Sequence, residues 1–273
     1  MGLDSTTQVI TTLILVLALA VSVIVTQFAR RRRDLVALRA IPAYDALPLW
    51  VGASIEADRP LHVSLAGVGI GGSSTLLTLA GNELYHQTAN RAAIGDRPPL
   101  LTASDPSAIP LVYGTLRRAY ADRGRLDRVQ LGGAVRWYPT GPRSLAFAAA
   151  LTATLGDEQP FGSLLMGSFG SELALVLDAA ARRHQATIAT SDQPEGQAIA
   201  YALADHPLIG EEIFTAGAYL GGDASQIGSV VTLDVLRWLL IVGILAPTIV
   251  IVGDELLGGA ISRFLAGLFA GGS

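Results

Sequence analysis

Residues Gln8 to Phe28 form an apolar run without one charged side chain, and Arg30-Arg31-Arg32-Arg33 follow almost at once. The run is 21 residues long, and at roughly 1.5 Å of helical rise per residue it spans about 30 Å, the thickness of a bilayer's hydrocarbon core. The pattern predicts a transmembrane helix. Basic flanks stay in the cytoplasm, so the four arginines point its amino end outward. A cleaved secretory signal would carry its positive charge before the apolar stretch, whereas Met1 to Thr7 hold only Asp4. A second apolar segment, Trp238 to Gly253, has 16 residues without charge. Thr232, Leu233, Val235 and Leu236 lengthen it if Arg237 snorkels to the interface, where Trp238 suits the aromatic belt. Pro247 would kink this span, which membrane helices tolerate.

Between the spans, short apolar runs alternate with segments of helical periodicity. Helices are expected over Ala43 to Ala57, Ser73 to Asn90, Pro106 to Arg123, Arg143 to Leu155, Ser171 to His184, Glu195 to Ala204 and Glu211 to Leu220. Strands are expected at Leu61 to Ala66, Leu100 to Ala103, Val129 to Trp137 with a bulge at Gly132-Gly133, Ser163 to Met166, Ala186 to Thr190 and Leu208-Ile209. Asp105 reads as the N-cap of the third helix, with proline at its first position. Such alternation means βαβ units. The expected fold is α/β, a mainly parallel sheet with flanking helices in a Rossmann-like three-layer arrangement, bracketed by two transmembrane helices. The expected division is an N-terminal transmembrane helix over 1–29, a basic linker over 30–42, a cytoplasmic α/β domain over 43–230, a second transmembrane helix over 231–253, and an apolar or interfacial tail over 254–273.

Composition narrows the chemistry. Only 15% of the 273 residues are charged, against about 25% in ordinary globular chains. Between Asp34 and Val230 there are 19 acidic residues and 13 arginines, a net charge of −6, which argues against a nucleic-acid partner. The absence of cysteine removes disulfides, thiolate nucleophiles and iron–sulfur clusters. The absence of lysine removes Schiff-base catalysis and the phosphate-binding lysine of Walker-type loops.

Four constellations carry candidate chemistry. Gly67-Val68-Gly69-Ile70-Gly71-Gly72 matches G-x-G-x-x-G at Gly67, Gly69 and Gly72, between an expected strand and an expected helix. There, backbone amides would approach a pyrophosphate while Ser73 caps the helix. The acid that would hold a ribose is expected about 20 residues on, whereas Asp105 lies 33 beyond Gly72. A purely structural turn, common in any α/β domain, is the preferred reading of the same glycines. Gly167-Ser168-Phe169-Gly170-Ser171-Glu172 is a second strand-to-helix turn, with Ser168 or Ser171 as cap and Glu172 in the positive first turn. Asp205, His206, Glu211 and Glu212 crowd ionisable groups into eight residues, but metal or acid–base work needs them to converge. Arg117, Arg118, Arg123, Arg125 and Arg128 gather at one helix end, where they favour the dipole and form a solvated face.

Leu208-Ile209-Gly210-Glu211-Glu212, Ala216-Gly217-Ala218-Tyr219-Leu220, the Gly167 to Glu172 turn, Ile41-Pro42 and the closing span together resemble a family. It comprises prokaryotic membrane-anchored proteins catalogued as domain of unknown function six-seven-five-four, and the resemblance covers about residues 39–250, departing from the pattern in the middle. It implies a membrane-linked α/β architecture and no catalytic residues to carry over.

The leading expectation is a non-catalytic assembly or scaffold protein that homo-oligomerises or serves as accessory subunit of a membrane complex. It would hold no cofactor, and its partners would be the lipid bilayer and either itself or other subunits of a membrane complex. The alternative is a membrane-tethered nucleotide or small-ligand sensing domain using Gly67, Gly69, Gly72 and Ser73. A membrane-bound enzyme resting on Asp205, His206 and Glu211 comes third. Arg30-Arg31-Arg32-Arg33, Arg237 and Trp238 set the orientation: inner (cytoplasmic) membrane, domain in the cytoplasm, both termini outside.

Overall fold

Parallel strands buried on both faces organise the chain. In a computed structural model, the residues described are 39–129, 133–139, 145–222 and 224–256, with scattered positions from 12 to 27. Arg30 to Arg33 and the tail beyond 256 lie outside the described residues. The chain divides into two units, Leu38–Asp223 and the flanking segments Met1–Ala37 with Ala224–Ser273.

In the first unit the elements run α1 (Pro42–Glu56), β1 (His62–Ala66), α2 (Thr75–Ala92), β2 (Leu100–Ala103), a 3₁₀ turn at Pro106–Ala108, α3 (Ile109–Ala121), a 3₁₀ turn at Leu126–Arg128, and β3 (Val135–Trp137). They continue with α4 (Leu145–Asp157), β4 (Gly162–Gly167), α5 (Leu173–Ala181), β5 (Ala186–Ala189), α6 (Pro194–Leu203), β6 (His206–Pro207), a 3₁₀ segment at Gly210–Thr215 and a π-helical segment at Gly217–Gly221. Proline sits in the first turn of α1, α3 and α6, where its missing N–H costs nothing and its fixed φ suits the helix. Every strand pair is parallel, in the order β3-β2-β1-β4-β5-β6.

β1 and β4 at the centre are buried at every position, as strands covered on both faces must be. One face packs Val63, Leu65, Leu101, Leu164, Met166 and Ile188 against α1, α2 and α3, with Tyr85 and Tyr120 fully buried. The other packs Ala66, Leu165 and Ala189 against α4, α5 and α6 around Phe147 and Phe169. Alternation along the strands puts a polar row on the same face as Ala66 and Leu165. His62, at 0% exposure, meets Thr102 Oγ1 at 2.9 Å through Nε2 and Ser163 Oγ at 3.3 Å through Nδ1.

Three expected elements change. The third strand starts at Val135 rather than Val129: Leu126–Arg128 is a 3₁₀ turn and Gly133 a turn, and the ladder begins where Leu101 N donates to Ala134 O at 2.7 Å. The last strand is His206–Pro207, two residues earlier than Leu208-Ile209, because Ile188 and Ala189 pair with His206 and Pro207. The closing helix over Glu211 to Leu220 is instead a 3₁₀ segment followed by a π segment. Gly210 at φ 61° and Gly222 at φ 65° bound it in the left-handed region, and Glu212 folds back to accept Ile209 N at 2.9 Å.

That closing segment is strapped to the start of the domain. Glu212 pairs with Arg39, Tyr44 Oη donates to Glu212 O at 2.6 Å, and Tyr219 Oη donates to Arg39 O at 2.6 Å. The Tyr44 and Tyr219 rings stack at 5.3 Å, and Arg91 donates to Leu220 O. Where the chain comes into the domain and where it leaves are thus fastened together.

The second unit contains α7 (Ala224–Leu256). Among the described residues one stretch, Gln226–Leu245, is long and apolar enough to cross a membrane. Trp238, Leu240 and Ile244 on it are exposed. The first expected span falls mostly outside the described residues, although the positions described between 12 and 27 are helical.

Candidate functional site at the sheet's switch point

The chain winds outward from β1 to β3 and then crosses to β4 on the other side of β1. In such sheets a crevice opens at the carboxyl ends of the two strands where the winding reverses. Here those ends are Ala66 and Gly167, register partners in the β1–β4 ladder. They lead directly into the two glycine-rich turns marked in the sequence.

The turns touch. A Cβ on Gly67 would lie 2.9 Å from Ser168 Cβ, and one on Gly167 would lie 2.1 Å from Ala66 O. Gly67 at φ 63° and Gly167 at φ 133° both need the left-handed backbone that glycine adopts freely. Ser168 N donates to Ala66 O at 2.7 Å, closing the seam.

Around the first turn, four backbone amides find side-chain hydroxyls as acceptors. Gly67 N donates to Ser104 Oγ at 2.6 Å, Gly69 N to Ser74 Oγ at 3.2 Å, Ile70 N to Ser107 Oγ at 2.8 Å and Gly71 N to Thr75 Oγ1 at 3.0 Å. Asp105 backs the turn. A Cβ on Gly69 would come within 2.5 Å of Asp105 Cγ and 2.7 Å of Ser107 Oγ. The Asp105 carboxylate accepts Ser107 N at 2.8 Å and Ser107 Oγ at 2.6 Å. Sequence spacing placed Asp105 too far along the chain for a ribose-binding acid. The fold sets it just past β2 and against the second glycine of the motif.

Gly69 therefore lacks a side chain to make room for Asp105. Replacing Gly69 with alanine is expected to cost about 2 kcal/mol by overpacking, lowering the thermal midpoint by roughly 4–8 °C. Adding Asp105→Ala should recover part of that loss in a double-mutant cycle read by thermal melts. Simple additivity of the two losses would show that the contact is not the cause.

The second turn is built differently from its expectation. Neither Ser168 nor Ser171 caps α5. Ser168 Oγ turns to Asp192 Oδ1 at 2.5 Å, and the buried Glu172 carboxylate accepts Gly170 N at 2.9 Å. Ser191 Oγ donates to Phe169 O at 2.6 Å and accepts Gln193 N at 3.1 Å, tying the end of β5 to the same turn. Nor does Ser73 cap α2: it is exposed and makes no hydrogen bond among the described residues, while Ser74 and Thr75 turn back to the glycines.

These pieces enclose a cleft of about 460 Å³. Gly67, Ser73, Leu76, Ser168 and Asp192 line it from the sheet side, and Gly210, Ile213 and Phe214 from the closing segment. Gly69 and Gly72 do not line it, and a Cβ on Gly72 would meet open space.

The other candidate clusters do not converge. Asp205 Oδ2 accepts Thr187 N at 2.8 Å and Thr187 Oγ1 at 3.0 Å, fastening β6 to β5. His206 packs against Trp50 with ring centroids 5.6 Å apart. Glu211 is exposed, and Glu212 belongs to the strap. Among the described residues no three metal-ligating side chains gather. In the arginine cluster, Arg125 and Arg128 bind Asp96 at 2.8 and 3.0 Å, while Arg117 and Arg118 are exposed.

Ser104, Ser107 and Asp192 were not singled out by sequence reasoning. Each follows a strand that ends at the carboxyl edge of the sheet. That signal becomes readable only once β2 and β5 are known to flank the switch point.

A family model described as a domain of unknown function matches residues 4–258. No curated protein and no solved structure matches the chain.

Proposed function

The chain belongs to that family, DUF6754, whose description assigns no reaction, and from this premise we propose that the α/β unit is a membrane-tethered small-ligand sensing domain. One observation carries the reading. The switch-point cleft is walled on one side by Gly210–Thr215, the segment that runs through Gly217–Gly221 into the apolar helix Ala224–Leu256. A ligand lodged between Ser73, Ser168 and Phe214 would press on the stretch of chain that leads to the membrane helix. Short 3₁₀ and π stretches are frequent at hinges and functional sites, because their hydrogen bonds rearrange at little cost. A sensor needs such a segment beside its ligand.

Thermal melts of the full chain in detergent, with adenosine, methyl glucoside, spermidine, NAD and ATP as probes, test this. At least one probe should raise the midpoint of the wild type and not that of Ser73→Phe. That substitution fills the cleft from a position without a hydrogen bond to lose. A panel in which no probe moves the wild-type midpoint overturns the reading.

The assembly reading is the second. Its support is the exposed apolar surface of α7, where Leu240, Val242, Ile244 and Leu245 flank Gly243 and a Cβ on Gly243 would meet open space. Small residues of this kind let a neighbouring helix come close. Under this reading the detergent-solubilised protein runs as a closed oligomer; a monomer without partners counts against it.

A further inference from the structure

A ligand of this cleft must satisfy walls of known chemistry, and those walls are unlike a phosphate site. Phosphate cradles at strand-to-helix turns work by aiming free amides, often with a basic side chain, at the anion. Here the amides of Gly67, Gly69, Ile70 and Gly71 are already taken by Ser104, Ser74, Ser107 and Thr75. The side of Gly69 on which a pyrophosphate would approach holds Asp105 and Ser107. Among the described residues no arginine lines the cleft, the chain has no lysine, and Asp192 does line it. A polyphosphate would meet one carboxylate at the wall and another behind the turn, with no counter-charge, and in a partly desolvated cleft like charges repel by several times what they would in water.

The same walls suit another class. Asp192, which lines the cleft, spends Oδ1 on Ser168 at 2.5 Å and leaves Oδ2, a strong acceptor, without a partner among the described residues. Beside it the cleft is lined by Ser73, whose hydroxyl makes no hydrogen bond among the described residues, and by Ser168 and Ser191, whose protons go to Asp192 and Phe169 O and which keep acceptor lone pairs. From the closing segment comes Phe214, 52% exposed, and Leu76, 71% exposed, lines the cleft near Ser73. Large apolar side chains left open at a cleft mouth supply a flat surface for the CH face of a ring. A carboxylate with hydroxyls on one wall and an aromatic ring on the other recognises an uncharged ring that carries adjacent hydroxyl groups.

Resting on the sensing function proposed above, we infer that the cleft between Ser168, Asp192 and Phe214 takes a neutral ring bearing a vicinal diol, and that it rejects phosphate. Two sources share this chemistry, a sugar ring and the ribose of a nucleoside. About 460 Å³ holds either one.

Isothermal titration of the full chain in detergent separates the possibilities. The probes are adenosine, methyl glucoside, 2′,3′-dideoxyadenosine, spermidine and inorganic pyrophosphate. Adenosine or methyl glucoside is expected to bind one to one, and which of the two does so identifies the source. Asp192→Asn should weaken that binding about tenfold or more, the effect of removing a charged hydrogen-bond partner. For a nucleoside, the dideoxy analogue should lose affinity to a similar degree. If pyrophosphate or spermidine binds while both diols fail, the ligand class is wrong and the sensing site stands. If a diol binds equally well to wild type and Asp192→Asn, the class assignment also falls. Silence from every probe overturns the class and the sensing reading together, which the separate thermal panel would register independently.

Discussion

Gly167→Ala is expected to abolish the fold of the α/β unit. A Cβ there would lie 2.1 Å from Ala66 O and 2.7 Å from Ala66 N. Both are backbone atoms of the central strand, so neither can swing aside as the end of a side chain would. Relief would require parting β1 from β4, where Ala66 and Gly167 are register partners and Ser168 N donates to Ala66 O at 2.7 Å. The φ of 133° adds conformational strain for any residue with a side chain. Together these should exceed about 4 kcal/mol, the exceptional end of single substitutions, a large fraction of what holds a domain of this size. Gly71→Ala separates the two causes. It shares a positive φ, 104°, but its Cβ would meet open space, so only backbone strain of about 1–3 kcal/mol is expected. Expression level and limited proteolysis of the detergent-extracted proteins should show Gly71→Ala folded and Gly167→Ala degraded. Equal survival of the two would mean that strand separation at the seam costs far less than the geometry implies.

The contrast between these glycines shows what a sequence conceals. The motif Gly67-x-Gly69-x-x-Gly72 is legible, as are the strand before it and the helix after it, because periodicity and glycine punctuation are local properties. What each glycine is for is not local. Gly69 clears space for Asp105, a contact made across two strands, and Gly67 clears space for Ser168, about a hundred residues on. The α/β class and most element positions follow from alternating apolar runs. β2 matches its expected limits, and α1 and β4 differ only at their ends. The elements that went astray are those whose form is set by partners. His206-Pro207 becomes a strand because β5 offers an unpaired edge, although its own composition shows no strand pattern. Glu211 to Leu220 has helical composition, yet Glu212 returns to Ile209 N and Gly210 and Gly222 bend the chain at either end. Asp192 gained its place in the cleft only when the strand order set β5 beside β4.

The second large effect concerns acid, and it centres on His62 in β1. That ring lies at 0% exposure between Thr102 and Ser163. Burial, and secondarily the charge of Arg136, lower its pKa to about 3 from the ordinary 6.5. Above pH 6.5 the imidazole is neutral in the folded and unfolded chain alike, so it contributes no pH dependence there. Between about 6.5 and about 3 the unfolded chain takes up a proton that the folded chain refuses. Stability must therefore fall as the pH drops through this window, by about 1.4 kcal/mol per unit. From pH 7 to pH 4 the loss assigned to His62 is roughly 3 kcal/mol by the same linkage. His62→Gln keeps a donor and an acceptor for Thr102 and Ser163 but cannot titrate. At pH 7 the variant should be the less stable protein, since the glutamine fits the polar row less well. At pH 4 that deficit should shrink or reverse, because the carboxylates that weaken both proteins in acid are common to them. Urea unfolding of the two detergent-solubilised proteins at pH 7, 5.5 and 4 measures the difference. Parallel stability curves would mean that the buried imidazole takes up its proton without unfolding, which requires the Thr102–His62–Ser163 row to open to water. Converging curves are the outcome consistent with an imidazole buried on β1 between Thr102 of β2 and Ser163 of β4.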